Sequence, residues 1–136
     1  MNTCPLCRAE NENVLWQNEN LRIIAAAEAN VPAVCRVIWH GHTAEMSDLP
    51  PDARAELMDA VWRTEAAMRA VLNPDKINLA SLGNMVPHLH WHVIARFADD
   101  ANFPAPIWAA AQRPSATVLH ADWPQQVRAV LQKEAV

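Results

Sequence analysis

Apolar and polar positions alternate in short runs over the first forty residues, and a period of two predicts strands. Val14-Leu15-Trp16-Gln17 is one such run, and Asn18-Glu19-Asn20 is a hairpin-type turn. Leu21 to Ala27 gives a second run, with Arg22 facing outward. Asn30-Val31-Pro32 breaks the pattern, and the β-branched stretch Ala33 to Trp39 predicts a third strand. The period then lengthens. Ser47-Asp48-Leu49-Pro50-Pro51-Asp52 combines a capping residue, prolines and an early acid, which marks a helix start. Leu57, Val61, Trp62, Thr64, Ala67, Met68 and Val71 recur at helical spacing and predict its core face, and Asn73-Pro74 stops the helix after Leu72. Ile77 to Leu82 and His88 to Arg96 predict two further strands. Phe103-Pro104-Ala105-Pro106-Ile107-Trp108 predicts an extended segment laid over a surface. A last amphipathic helix, Asp122 to Glu134, carries Val127, Val130 and Leu131. This order predicts an antiparallel α+β domain.

Composition narrows the class. The chain has 136 residues, enough for one domain with a proper core, and apolar residues make up 51% of it. The net charge is -4 and no basic cluster occurs, which argues against a nucleic-acid polymer as partner. A small anionic ligand remains open, because a local site can hold it. No apolar stretch approaches the roughly 18 residues of a membrane span. The start lacks the basic and apolar regions of a signal peptide, so a cytoplasmic protein is expected. Three cysteines do not suggest a disulfide framework. Only two glycines occur, Gly41 and Gly83, and both lie near histidines.

His88-Leu89-His90-Trp91-His92-Val93-Ile94 is the most informative run in the chain. On a strand, its three imidazoles share one side and Leu89, Trp91 and Val93 share the other. Imidazole works as nucleophile, general acid or metal ligand near neutral pH. The run is therefore a reaction centre or a metal platform, ahead of a solvated polar face. As a nucleophile towards phosphorus, an imidazole needs one ring nitrogen held protonated so that the other can attack. Gly83-Asn84 just before the run can lend backbone and amide donors to phosphate oxygens.

These residues resemble the histidine triad family of nucleotide hydrolases and transferases, whose pattern is His-φ-His-φ-His-φ-φ with φ apolar. Gly83-Asn84-Met85-Val86 resembles the family's Gly-Gln-Ser/Thr-Val element, and Val37-Ile38-Trp39-His40-Gly41-His42 resembles the strand that ends in a further family histidine. Asn78 matches a family asparagine that contacts ribose or phosphate. The likeness covers roughly Cys4 to Pro104. It implies a sheet of about five antiparallel strands with a long helix packed on it and a C-terminal helix. Residues 1–104 would be the catalytic domain and residues 105–136 an extension. His90 would be the nucleophile at the α-phosphate, with His92 on phosphate and leaving group. His88 would be a support or a zinc ligand, and His42 an orienting residue or a ligand. Asn78, Gly83, Asn84 and Met85 would bind substrate. Asn84 is one methylene shorter than the family glutamine, and Met85 replaces a hydroxyl residue, which puts the leaving group in doubt.

The implied substrate is a purine nucleotide: a dinucleoside polyphosphate such as diadenosine tetraphosphate first, a nucleoside phosphoramidate second. Catalysis of this kind requires no metal, and a homodimer joined edge to edge is implied. Bacterial family members with a similar Cys-x-x-Cys imply a structural zinc held by Cys4, Cys7, His42 and His88. The pair Cys4-Pro5-Leu6-Cys7 supplies by itself only half a ligand set. Two rival functions stay open: a zinc-dependent hydrolase using His88, His90 and His92, and a nucleotide sensor with little activity. Arg96 is expected on the surface and Cys35 in the core. Trp16, Trp39, Trp62 and Trp91 are expected in the core, and Trp108 and Trp123 against a partner subunit.

Overall fold

Alternation dictates a sheet with one greasy face, and the computed structural model, which describes residues 3–134, shows how that face is covered. Five strands, β1 (Asn13–Gln17), β2 (Leu21–Glu28), β3 (Val31–Trp39), β4 (Lys76–Ala80) and β5 (His90–Arg96), form one antiparallel sheet in the order β1-β2-β3-β5-β4. Three helices, α1 (Pro5–Arg8), α2 (Pro51–Leu72) and α3 (Trp123–Glu134), complete the α+β fold.

The first hairpin closes because the Asn18 carboxamide oxygen accepts from the backbone N–H groups of Asn20 and Leu21, at 2.9 and 3.0 Å. Asn18 and Asn20 also donate to the Glu56 carboxylate on α2, at 2.9 and 2.8 Å, which ties the hairpin to the helix. Ser47 does not cap α2 as the sequence suggests. It lies in a separate 3-10 turn, Met46–Asp48, and α2 begins after Pro50. Asn73 ends α2 in the left-handed region (φ 47°), with its N–H bonded to the Arg69 carbonyl at 3.0 Å.

Leu57, Ala60, Val61, Ala67 and Met68 of α2 pack onto Ile23, Cys35, Val37, Val93 and Ala95 of the sheet in one continuous core. Val127 and Leu131 of α3 join the same core from the side of β1. Thr64 lies in this core because its hydroxyl donates to the Ala60 carbonyl at 2.7 Å. Trp62 is a correction: it is 59% exposed. One residue past Val61, it is turned about 100° away from the apolar stripe. Pro32 lies within β3 rather than before it, and β4 stops at Ala80, not Leu82. Trp91 and Trp123 pack against the core.

The opposite face of the sheet is covered at both ends. At one end Arg22 is buried rather than outward-facing: it pairs with both oxygens of Glu12 at 2.6 and 2.9 Å and donates to the Leu6 carbonyl at 2.7 Å. Strand alternation does place it away from α2, but the N-terminal segment lies over it. At the other end a strap from Phe97 to Arg113 folds back over β5, where Arg96 holds Asp100 and the Ala105 carbonyl and Trp108 meets His92. Between the two covers a cavity remains, and His90 and His92 beside it are only 8% and 6% exposed.

Candidate active site

The register of β3, β5 and β4 decides which side chains share that face. Ile38 stands opposite His90, Arg36 opposite His92, and Ala80 opposite His92 from the other side. Paired residues project to the same side of a sheet, so His90, His92 and Arg36 face the gap together. They border a cavity of ≈ 530 Å³, whose rim includes Gly83, Asn84 and Met85. Gly83 adopts φ 71°, a left-handed conformation that suits glycine, and it turns the chain back towards His88. Asn84 is exposed and Met85 is 93% exposed, so both stand at the mouth.

β5 begins at His90, two residues later than the sequence suggests. Pro87 supplies no N–H for a ladder, and His88 instead bonds its N–H to the Val86 carbonyl at 2.8 Å. The His88 carbonyl then approaches His90 Nδ1 at 2.6 Å. A carbonyl only accepts, so Nδ1 carries the proton and Nε2 holds the free lone pair. His92 meets His90 edge to face, with ring centroids 5.0 Å apart. Burial, then the neighbouring His90 and Arg36, push its pKa down to about 4, against a weaker opposite pull from Glu28. His92 is therefore neutral at pH 7.

His88 turns away from this pair. Its Nε2 donates to the Trp39 carbonyl at 2.6 Å, which leaves Nδ1 as an acceptor or ligand. Nδ1 lies 3.4 Å from both Cys4 Sγ and Cys7 Sγ and 3.2 Å from His42 Nδ1, and His42 Nδ1 lies 3.2 Å from Cys7 Sγ. All four donor atoms fall within 4.8 Å of one another. A tetrahedral zinc with S and N ligands at about 2.3 and 2.1 Å has ligand–ligand edges of roughly 3.3–3.8 Å. The four contacts of 3.2–3.4 Å lie close to such edges, and two thiols with two imidazoles suit zinc in chemistry. Burial, as the leading cause, lowers the His88 pKa and favours the neutral, ligating form. The three triad imidazoles thus do not converge on one point.

Two residues at the site depart from expectation. Arg96 is not a surface charge: it is 2% exposed and pairs with both oxygens of Asp100 at 3.0 and 3.1 Å. It also donates to Asn78 Oδ1 at 2.8 Å and to the Ala105 carbonyl at 2.7 Å. Burial opposes ionisation of Asp100, but Arg96 and the backbone N–H groups of Phe97, Phe103 and Asn102 outweigh it and hold the pKa near 2. Asn78 therefore lies on the histidine face, fixed by Arg96. It borders a separate hollow of ≈ 1020 Å³ at the β4 edge, larger but without an imidazole. Trp108, expected at a subunit contact, stands over His92 with ring centroids 5.1 Å apart. No period or motif flags it, because the strap that carries it is irregular.

An antiparallel five-stranded sheet, helix-backed on one face and carrying paired histidines beside a donor-lined cavity on the other, defines the histidine triad class. Residues 8–99 match the HIT domain family, and the chain belongs to that family. A histidine triad protein from Bradyrhizobium japonicum is 28% identical, with a TM-score of 0.74 over 95% of this chain and 94% of that one. One from Marinobacter aquaeolei is 25% identical, with a TM-score of 0.70 over 92% and 89%. A Zn-bound histidine triad family protein from Mycobacterium smegmatis shares the fold at 21% identity, with a TM-score of 0.71 over 96% and 94%. No curated protein matches the chain. No helix among the described residues is long and apolar enough to cross a membrane.

Proposed function

We propose that the chain hydrolyses purine nucleotides at the α-phosphate through a covalent nucleotidyl-histidine, with dinucleoside polyphosphates as first substrate class and nucleoside phosphoramidates as second. The observation that carries this is the His90 Nδ1 contact with the His88 carbonyl, at 2.6 Å. It fixes the tautomer that makes Nε2 a nucleophile. In the first step Nε2 bonds to phosphorus while the bond to the leaving group breaks and its electron pair departs. In the second, water attacks phosphorus and gives up a proton to solvent, the P–N bond breaks, and His90 regains its lone pair. His92, neutral, donates one N–H to the transferred group, and the Gly83–Met85 rim supplies further donors. Asn78, held by Arg96, contacts the nucleoside.

Cys4, Cys7, His42 and His88 would hold a structural zinc, which cross-links the N-terminus to the triad and supplies no Lewis-acid chemistry to the substrate. A metal site made of His88, His90 and His92 is less well supported, since His88 Nδ1 faces the thiols and His90 Nδ1 faces a carbonyl. The remaining parts of the proposal are a cytoplasmic homodimer paired through the uncovered β4 edge, no nucleic-acid polymer as partner, residues 1–104 as catalytic domain and 105–136 as its extension.

Mass spectrometry of the protein mixed with diadenosine tetraphosphate or adenosine 5′-phosphoramidate tests the mechanism. An adenylyl adduct on His90 is expected. His90→Asn is expected to lose the adduct and the turnover while still binding nucleotide. Turnover at the wild-type rate in that variant refutes covalent catalysis and leaves a sensor or another nucleophile.

A further inference from the structure

Three arginines lie on the histidine face, and two of them are clamped by a carboxylate through two nitrogens. Arg22 and Arg96 each give Nε and a terminal nitrogen to a carboxylate, and each donates again to a backbone carbonyl. Their side chains are 5% and 2% exposed. Arg36 differs on every count. Its carboxylate contact is single, from Nη2 to Glu28 Oε1. Its Nε is buried with no partner, and its side chain remains 27% exposed. It stands opposite His92 in the ladder and borders the cavity that holds His90 and His92. Among the described residues bordering that cavity it is the one with a permanent charge, and Glu28 does not border it.

We propose that Arg36 is a specificity-determining residue that selects an anionic leaving group, a polyphosphate rather than an amine. This inference rests on the covalent hydrolysis proposed above. When His90 Nε2 bonds to the α-phosphorus, the bridging P–O bond breaks and the oxygen leaves with the electron pair, so negative charge accumulates on the departing phosphate. That oxygen needs a fixed cation and no proton. An amine leaving from a phosphoramidate needs the reverse: a proton and no cation. A guanidinium supplies charge and hydrogen bonds and does not release a proton. The neighbouring imidazole that would serve as acid is His92, which its surroundings keep neutral. The Glu28 contact holds the guanidinium at the cavity wall, ahead of binding, as preorganised electrostatic stabilisation requires.

The test compares wild type with Arg36→Met and Arg36→Lys on diadenosine tetraphosphate and adenosine 5′-phosphoramidate. The ratio of kcat/KM for the tetraphosphate to kcat/KM for the phosphoramidate is expected to fall about tenfold to hundredfold in Arg36→Met, the size of a hydrogen bond to a charged group. Arg36→Lys restores much of it. An unchanged ratio overturns the proposal. A second readout needs no turnover: titration of ATP and of adenosine into His90→Asn, with and without Arg36→Met. Weaker ATP binding with unaltered adenosine binding upholds the role of Arg36, and equal ATP affinities overturn it. Failure of the wild type to cleave either compound sinks the hydrolysis, and the titration then decides Arg36 alone.

Discussion

Arg96→Met removes a buried cation and leaves its carboxylate behind. Asp100 is 3% exposed and retains only the N–H groups of Phe97, Asn102 and Phe103, at 3.1, 3.1 and 2.8 Å. Breaking a buried pair by deleting one partner costs about 3–5 kcal/mol, most of it the penalty of an uncompensated charge. For 136 residues the unfolding entropy is roughly 0.29 kcal/mol/K, so Tm should fall by about 10–17 °C. The double variant Arg96→Met with Asp100→Asn leaves no orphan charge, and its Tm should recover at least half of that loss. The same substitution releases Asn78 and the Ala105 carbonyl, so the strap that carries Trp108 loosens. Calorimetry at pH 7 on the three proteins reads the effect. A drop below about 4 °C in Arg96→Met, or a double variant no better than the single one, refutes the burial argument.

Acid should unfold the protein in two stages. His92 has a lowered folded pKa, so its contribution is complete above the unfolded value near 6.5 and is lost as pH falls towards about 4, roughly 3 kcal/mol in all. Asp100 is also lowered, so its share is present above about 3.8 and is lost as pH falls towards 2. His92→Gln should flatten the upper stage of a Tm–pH profile, and an unaltered profile between pH 7 and 4 counts against this. Trp108→Ala uncovers His92 and should raise its pKa, read by NMR titration of the ring; an unmoved titration would mean that the indole contributes no burial. The Cys4, Cys7, His42 and His88 set should take up one zinc per chain on reconstitution, and chelation should lower Tm. A Cys7→Ser protein that binds zinc as tightly as wild type would contradict the assigned ligand set.

The sheet, the long helix and the shared side of His90 and His92 were legible because each follows from a local period: two for strands, three to four for α2; His88, ahead of the strand, turns away from them. What escaped was set by contacts distant in sequence. Arg22 alternates as an outward residue should, and nothing near it shows that Leu6 and Glu12 will fold over it. Arg96 looked like the charged end of a strand, yet Asp100, four residues on, returns to pair with it. Such a carboxylate after a strand-ending arginine is a usable signal, weak alone. Trp62 fitted the helical count within one position, and one position is 100° of rotation. Arg36 lies inside a β-branched run that predicts only a strand, and the register with His92 is what reveals its place. Trp108 had no pattern at all, since a proline-punctuated strap reports neither period nor direction.

His88 joins the two halves of the site, and this constrains how either can be studied. Its Nδ1 faces the thiols, its Nε2–H is held by Trp39, and its carbonyl holds the proton of His90. A side-chain substitution at His88 removes the first two contacts and disturbs the third, because the ring anchors the backbone that presents the carbonyl. Lost activity in such a variant therefore distinguishes nothing between a ligand and a catalytic support. Cys7 is the better probe: its Sγ reaches His42 and His88 at 3.2 and 3.4 Å, and it lies on α1, remote in the chain from the Val86–His90 backbone. If the metal set only fastens the N-terminus, losing Cys7 should cost stability while the His90 adduct still forms. If it also positions the carbonyl, adduct formation should slow in step with zinc loss, because the tautomer of His90 depends on that one contact.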